Sequence, residues 1–190
     1  SRIWVLVPCP AWRCRDVASL TGLSAGSNAM SARILSGAAQ MTAAVREALS
    51  ELAAEVAAAA DIEKESILEV TLVGNPIMHH LVLGIDPVEL GGAPFALAID
   101  RAVTVTAAEL GIALHPNARV YALPCIAGHV GADTAGVILA ERPDLTEEMT
   151  LLVDVGTNAE IVLGNSKRLV ACSSPTGPAF EGAQISCGQR

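Results

Sequence analysis

The sequence predicts a mixed α/β fold, and three observations support that prediction. Hydrophobic residues make up 52% of the 190 residues, which is enough for a buried core and excludes a disordered chain. Aliphatic residues recur at helical spacing in some segments and form short runs, typical of strands, in others. The two kinds of segment alternate along the chain and are separated by turns rich in Gly and Pro, as expected for one α/β domain or two lobes.

The charge balance restricts the classes of partner. The chain has 12 Lys and Arg against 20 Asp and Glu, which gives a formal net charge of −8. Nucleic acids and anionic membranes attract basic surfaces, so neither is an expected partner. The sequence contains no uncharged apolar run of about 18 residues, so it predicts no membrane-spanning helix.

The cysteines favour a reduced, cytoplasmic protein. There are five of them, an odd number at irregular spacing, and the sequence has no secretory signal. Cys9 and Cys14 match the opening C-x4-C of a plant-type iron–sulfur loop, but no C-x2-C follows, so no cluster is expected in this chain. Cys125, Cys172 and Cys187 have apolar neighbours and are expected to be buried thiols.

Residues 1–29 are predicted to be a tag, a vector-derived segment or a disordered leader. They end in Ser27-Asn28-Ala29-Met30, which is similar to the remnant of a cleaved expression tag, with Met30 as the first native residue. A native leader is the alternative, although its apolar run, Val5-Leu6-Val7, is too short for a signal peptide. Under either interpretation this stretch lies outside the functional core.

Regular elements are predicted from residue 36 onwards. A helix is expected over 36–60, because apolar residues recur there every three or four positions: Met41, Val45, Leu49, Leu52 and Val56. A strand is expected over 67–73. Asn75 is suited to the N-cap and Pro76 to the first position of a short helix that ends at Gly84.

The next segment, 84–105, is rich in turn-forming residues and predicts no clear element. Thr106 and Glu109 have the spacing of a capping box, which predicts a brief helix closed by Gly111. A strand over 120–123 and a helix over 133–141 follow. Pro143 and the acidic residues after it predict a hinge at 143–149.

A candidate phosphate site follows the hinge. An apolar strand over 151–155 carries one acid, Asp154, and is followed by the turn 156–158 and a second strand over 159–163. A carboxylate at the end of a buried strand calls for a physical explanation. A glycine turn can point backbone N–H groups at phosphate oxygens, while the nearby carboxylate holds Mg²⁺ through water. An ordinary hairpin with a capping Asp is the alternative.

Several further blocks accompany this motif in a fixed order. They are 73–81 (VGNPIMHHL), 91–95 (GGAPF), 123–133 (LPCIAGHVGAD), 154–165 (DVGTNAEIVLGN), 171–173 (ACS) and 177–183 (GPAFEGA). Together they resemble the reductive activators of corrinoid proteins, whose C-terminal ATP-binding domain belongs to the superfamily of acetate and sugar kinases, heat-shock chaperones and actin (ASKHA). The resemblance covers about residues 30–190.

The resemblance implies an actin/sugar kinase/heat-shock ATPase-like fold, of which this chain is expected to be a fragment. Residues 30–142 would be the end of the first ATPase lobe and residues 150–190 the start of the second. The implied activity of the whole protein returns the Co(II) corrinoid of a methyltransferase or corrinoid protein to Co(I), driven by ATP and Mg²⁺. A [2Fe–2S] cluster is expected in the parent protein but not in this chain, which alone is expected to be inactive.

The resemblance also assigns site residues. Asp154 is the implied catalytic carboxylate and holds Mg²⁺ through water. The implied cofactor-binding residues are Gly156, Thr157, Asn158, Glu160 and Gly177. The family's Asn-Gly-Glu after this turn is Asn158-Ala159-Glu160 here, which places a β-carbon where the backbone could otherwise approach a ligand or adopt positive φ.

Other interpretations stay open. One is a small-molecule kinase of the same superfamily, with Glu181 or Asp133 near the acceptor; another is a non-catalytic module whose acidic surface docks a partner. A homodimer through exposed apolar surface is also open. For His79 and His80, helix packing and capping are favoured over a metal or corrinoid ligand, since neighbours on a helix diverge by about 100°.

Overall fold

The computed structural model describes residues 3–4, 29–156 and 158–175, with side chains from residue 37 onwards, and shows a mixed α/β fold. The four described α-helices are α1 (Ala29–Ala59), α2 (Pro76–Leu83), α3 (Ala107–Leu110) and α4 (Ala132–Glu141). The seven described strands are β1 (Ile3–Trp4), β2 (Glu69–Leu72), β3 (Val103–Thr106), β4 (Arg119–Ala122), β5 (Thr150–Val155), β6 (Asn158–Asn165) and β7 (Arg168–Pro175). Short 3-10 turns lie at Lys64–Ser66, Val88–Gly91 and Pro143–Leu145.

The first sheet has the strand order β1-β2-β4-β3. Strands β1, β2 and β4 run parallel, and β3 is antiparallel to β4. Its edge strand β1 lies within the stretch that the sequence assigns to a leader. Because β2 and β4 are parallel, the turns that follow them, which lead to α2 and α4, leave the sheet at the same edge.

Helix α1 covers this sheet through one apolar stripe. Leu49, Ala53 and Ala57 are buried at successive four-residue steps, while Glu47 and Glu55 are exposed on the other side. The stripe packs on a core whose most deeply buried members come from the sheet and its connections: Ile67, Ala107, Ala118 and Val120. The predicted helix is confirmed, although it begins at Ala29 rather than at residue 36, and its buried stripe continues through Ala53 and Ala57 rather than through Val56, which is 38% exposed.

The predicted helix ends are also confirmed. The Asn75 side chain accepts a hydrogen bond from the Met78 amide at 2.9 Å, and Gly84 ends α2 with φ of 75°. Thr106 and Glu109 form the reciprocal capping box of α3, which places two side chains on backbone donors that the helix leaves unpaired.

The second sheet is antiparallel, in the order β5-β6-β7. Its register places side chains in two sets, because neighbours along a strand point to opposite faces. One face, here called the packed face, includes Leu152, Val162 and Leu169, and it adjoins α4 and the Pro143–Leu145 turn. The other, here called the apolar face, carries three cross-strand rows: Leu151/Leu163/Val170, Val153/Ile161/Cys172 and Val155/Ala159/Ser174.

Two expectations about the second sheet were wrong. The strand that carries Asp154 is not buried on both faces, since Leu151, Val153 and Val155 are 60%, 50% and 53% exposed. Cys172 lies on the same face and is an exposed thiol, whereas Cys125 is buried as expected. A continuous apolar run predicts burial only where another element covers each face, and no described element covers the apolar face.

None of the helices in the described part of the chain combines the length and apolar character needed to cross a bilayer.

Replacing Ile67 with Ala should lower the free energy of unfolding by about 2–5 kcal/mol, because its side chain is only 2% exposed and its removal leaves a cavity. The neighbouring Leu68 is 54% exposed, so Leu68→Ala should change the stability by less than about 1 kcal/mol. Urea denaturation of both variants checks this, and equal losses would contradict the described core.

Candidate phosphate-binding site

Two predicted site residues face each other across β5 and β6. Asp154 lies directly opposite Glu160 in the antiparallel register, on the packed face of the sheet. Val162, two residues along β6, is 2% exposed on that same face. The carboxylates therefore lie where the packing of this face ends, with Asp154 exposed and Glu160 half-buried.

Glu160 is held by a hydrogen bond from the next strand. The Ser173 hydroxyl donates to Oε1 of Glu160 at 3.0 Å, and the two residues are paired in the register of β6 and β7. Burial raises the pKa of the Glu160 carboxyl, the Ser173 hydrogen bond partly offsets this, and the negative charges of Asp133 and Asp154 raise it further.

Asp133 brings a third carboxylate to this place, from the first turn of α4. Its Oδ1 accepts a hydrogen bond from the Thr134 amide at 2.8 Å. Burial raises the pKa of Asp133, and the charge of Asp154 raises it further. Helix α4 and strand β5 are in contact, and the negative charge of Asp154 on β5 affects the Asp133 carboxyl on α4.

This arrangement is suited to a hydrated cation. Like charges directly opposite each other on a sheet destabilise it, and here a third acid adds to the repulsion. A divalent cation would relieve that repulsion. No three His, Cys, Asp or Glu side chains in the described part of the chain are placed to ligate an ion together, and binding of Mg²⁺ through water stays a prediction.

The turn between β5 and β6 is closed by its own backbone. The Gly156 amide donates to the Asn158 carbonyl at 2.8 Å, and Asn158 is exposed at the start of β6. Thr157 and Gly177 lie outside the described residues. Ala159 is extended and pairs with Val155, so its β-carbon is accommodated in the strand without positive φ.

His79 and His80 lie far along the chain from this cluster, on α2. Both are buried, at 6% and 1% exposure, as the packing interpretation predicts. Burial lowers the pKa of His79, the neighbouring His80 lowers it further, and the Leu123 carbonyl partly offsets this. Neither ring nitrogen of His79 has a hydrogen-bond partner that satisfies normal geometry among the described residues.

The sequence did not identify Ser173 as a partner of Glu160, nor Asp133 as a neighbour of Asp154. Both assignments depend on the register of β7 and on how α4 meets the hairpin, and no local pattern encodes either one. Residues 168–175 read RLVACSSP, which does not alternate apolar and polar residues, so only the two-residue period of an assumed strand could have placed Leu169 and Ser173 on one face.

Comparison with protein families matches both parts of the chain. The model of the RACo middle region matches residues 28–145, and the model of the C-terminal domain of RACo, the ASKHA domain, matches residues 148–190. The chain belongs to the RACo family. The carboxylate pair of β5 and β6 lies within the ASKHA match, and Asp133 lies within the middle-region match. The assignment of residues 30–142 to a first ATPase lobe stays a prediction.

Individual relatives agree with this membership. The chain is 35% identical over 147 residues to the corrinoid activation enzyme RamQ of Eubacterium limosum, covering 77% of this chain and 24% of the relative. It is 36% identical over 72 residues to the [Co(II) methylated amine-specific corrinoid protein] reductase of Methanosarcina barkeri, covering 38% of this chain and 13% of that one.

A solved structure, of a reductive activator for a corrinoid, iron–sulfur protein, aligns with a TM-score of 0.75 at 37% identity. The alignment covers 81% of this chain and 24% of that chain. The family membership and this likeness confirm the predicted fold class. The chain thus spans about a quarter of the length of RamQ and of this activator.

The carboxylate cluster predicts a pH dependence of stability. Burial and like charges raise the pKa of Glu160 above its ordinary 4.5, so the folded protein holds this proton more tightly than the unfolded chain. The stability that protonated Glu160 contributes to the folded protein is therefore fully present below pH 4.5. It is lost as the pH rises through the pKa of Glu160 in the folded protein. Glu160→Gln should raise the melting temperature at pH 7.5 and change it little at pH 4.

Glu148→Gln is the matched control, since Glu148 is exposed near the same sheet. Thermal melts of both variants at the two pH values are the measurement. An equal gain for Glu148→Gln, or none for Glu160→Gln at pH 7.5, would contradict repulsion within the cluster.

Proposed function

We propose that this chain is part of an ATP-dependent reductive activator that returns a Co(II) corrinoid to Co(I). The observation that carries the proposal is the convergence of Asp154, Glu160 and Asp133 beside the D-x-G-T turn. The activities for which its relatives are named, corrinoid activation and reduction of a corrinoid protein, support the same proposal. A corrinoid protein or methyltransferase is the proposed partner.

In this proposal Asp154 attracts Mg²⁺ through its water shell, and Glu160 with Asp133 adds negative charge around it. The turn residues Gly156, Thr157 and Asn158, together with Gly177, approach the phosphates. Bound Mg·ATP would supply the free energy for the uphill transfer of an electron to Co(II). The chain's own residues bind and orient it, and the glycine keeps the turn free of a side chain that would hold the phosphates away.

The hydrogen bond that closes the turn lowers the affinity expected for a nucleotide. Since the Gly156 amide already donates to the Asn158 carbonyl, it has to exchange that hydrogen bond for one to a phosphate oxygen. A nucleotide in this superfamily is held between two lobes by two phosphate turns, and one turn supplies only part of the donors. We therefore propose that tight binding requires more of the domain than this chain contains.

The remaining parts of the proposal concern the whole protein. A [2Fe–2S] cluster in the parent would supply the electron, and the chain described here would not bind it. We also propose a reduced, cytoplasmic setting, which the free thiols of Cys125 and Cys172 support. The apolar face of the second sheet is available for a homodimer.

A small-molecule kinase is the second candidate, and Asp133 is the observation that favours it. Burial raises the pKa of Asp133, which makes its carboxylate a stronger base, and its charge is felt by Glu160 at the proposed phosphate site. Transfer of labelled phosphate from ATP to small alcohols or carboxylates would support the kinase. Formation of Co(I) without such transfer would support the activator.

Calorimetric titration of the 190-residue chain with Mg·ATP should show a Kd no tighter than about 1 mM, equivalent to about 4 kcal/mol. The physical reason is the incomplete set of phosphate donors. A micromolar Kd would contradict the proposal that this chain holds only part of the pocket.

Replacing Asp154 with Asn should remove cation attraction while preserving the shape of the hairpin. Mn²⁺ is the probe, and broadening of backbone amide signals in NMR spectra is the measurement. The wild-type chain should show broadening centred on β5 and β6 that Asp154→Asn loses. Asp100→Asn, which removes an exposed acid elsewhere, should leave the broadening unchanged.

Activity can be measured in a chimera in which this chain replaces the matching quarter of RamQ. Asp154→Asn should slow the ATP-dependent conversion of Co(II) to Co(I) by at least about tenfold, about 1.4 kcal/mol, with the melting temperature preserved. Gly156→Val should act in the same direction by blocking the phosphate. His79→Ala should instead lower stability. Wild-type conversion by the Asp154→Asn chimera would overturn the phosphate-site assignment.

A further inference from the structure

Both ring nitrogens of His80 are engaged inside the protein. Its Nδ1 lies 2.8 Å from the Pro76 carbonyl, and the Ala98 amide donates to its Nε2 at 3.1 Å. A carbonyl only accepts, so Nδ1 carries the proton and Nε2 presents its lone pair. The ring is therefore neutral and in one tautomer, and the side chain is 1% exposed.

The hydrogen bond to Ala98 ties down a segment that has few other attachments. The segment 91–100 is mostly exposed and contains no strand. Leu97 packs against the small buried cluster of Leu123, Cys125 and Ala132. The Phe95 ring lies on His129 with ring centroids 4.2 Å apart.

The same segment adjoins the turn that leads to α4. The Phe95 carbonyl approaches Gly128 so closely that a β-carbon there would overlap it. The turn Ala127–Val130 then runs through Gly131 into the first turn of α4, which carries Asp133. The contacts that hold the 91–100 segment in place therefore also limit the movement of the Ala127–Val130 turn.

We propose that His80 is an acid-sensitive latch, whose protonation at Nε2 removes the acceptor of the Ala98 amide and releases the 91–100 segment from α2. The donor N–H of Ala98 and a protonated Nε2–H would point at each other, so the hydrogen bond and the charged ring are mutually exclusive. The Pro76 carbonyl keeps its hydrogen bond in either state. The change is confined to one contact, the hydrogen bond that joins the segment to α2.

The groups around His80 offer little to stabilise a positive charge on its ring. On the same helix, the His79 ring lies with its centroid 5.6 Å from that of His80, and burial and then the neighbouring His80 lower the pKa of His79. On α1, Arg46 donates from Nε to the Val82 carbonyl of α2 at 2.9 Å. Both groups oppose, rather than attract, positive charge.

The other elements near α2 also carry titratable groups. The segment after it has Asp86, Glu89, Asp100 and Arg101, and the segment after β4 has Cys125 and Asp133. No hydrogen bond or ion pair among the described residues joins any of these side chains to the His80 ring. Because no carboxylate is bound to the ring, protonation weakens the packing instead of forming a new ion pair.

The test follows His80 and the Ala98 amide in the same NMR samples of the 190-residue chain, from pH 8 to pH 5. Long-range ¹⁵N spectra report the protonation of Nε2, and hydrogen exchange, corrected for its intrinsic pH dependence, reports protection. Protection of the Ala98 amide should fall by at least about tenfold as Nε2 becomes protonated, while the amides of β2 and β4 keep theirs.

Two variants make the test specific. His80→Gln keeps an acceptor for Ala98 that does not titrate, so protection should become independent of pH. His115→Gln removes a histidine whose Nδ1 accepts only from the nearby Asn117 amide at 3.2 Å, so the loss at low pH should persist. Equal loss in His80→Gln, or no loss in wild type once Nε2 is protonated, would overturn the latch. If His80→Gln fails to fold, the wild-type titration decides: protection lost at a different pH from Nε2 protonation also overturns it.

Discussion

The carbonyl group of Gly74 determines how the two helices that follow the parallel strands are joined. It accepts from the amides of Ala132 and Asp133, at 2.9 and 3.3 Å, and so caps the start of α4 with the turn that precedes α2. This contact requires glycine at 131, because a β-carbon there would lie 2.7 Å from the Gly74 oxygen and 2.8 Å from the Asn75 α-carbon. The amides at the start of α4 are thereby used within the protein. Asp133, in the first turn of α4, adds its negative charge to the electrostatic surroundings of Glu160.

That placement creates an electrostatic cost which the fold does not offset by itself. Asp133 and Asp154 lie close enough for each to disfavour the charged form of Glu160, and the Ser173 hydrogen bond relieves only part of this effect. No basic side chain in the described part of the chain forms an ion pair with any of the three. Like charges held close together in this way lower the stability of the folded protein near neutral pH.

Local sequence rules predicted the elements well where a single segment carries the whole signal. Asn75, Gly84 and the Thr106–Glu109 pair act through contacts within three or four residues, so the ends of α2 and α3 agree with the sequence. Strands β3 and β7 were not predicted. Val103–Thr106 follows a segment crowded with turn residues. Arg168–Pro175 reads RLVACSSP, a short apolar run without alternation whose strand is defined by pairing with β6. The cluster around Asp154 was predicted in its local part, whereas Asp133 and Ser173 joined it through tertiary contacts that no local pattern contains.

The register of the second sheet explains why its carboxylates lie on the packed face. A shift of one residue between β5 and β6 would move Asp154 and Glu160 to opposite faces, so their pairing depends on whatever fixes the register. The exposed side chains of the apolar face, including Leu151 and Val153, bury little surface in the observed register. They therefore do little to fix the register in this chain. Val162 is only 2% exposed, and β6 contacts the Pro143–Leu145 turn, so a shift of one residue would move this buried side chain to the exposed face. Asp154 and Glu160 lie next to Val162 on the same face, at the point where the packing of that face ends. Burial of one aliphatic side chain in β6 thereby places both carboxylates beside Asp133.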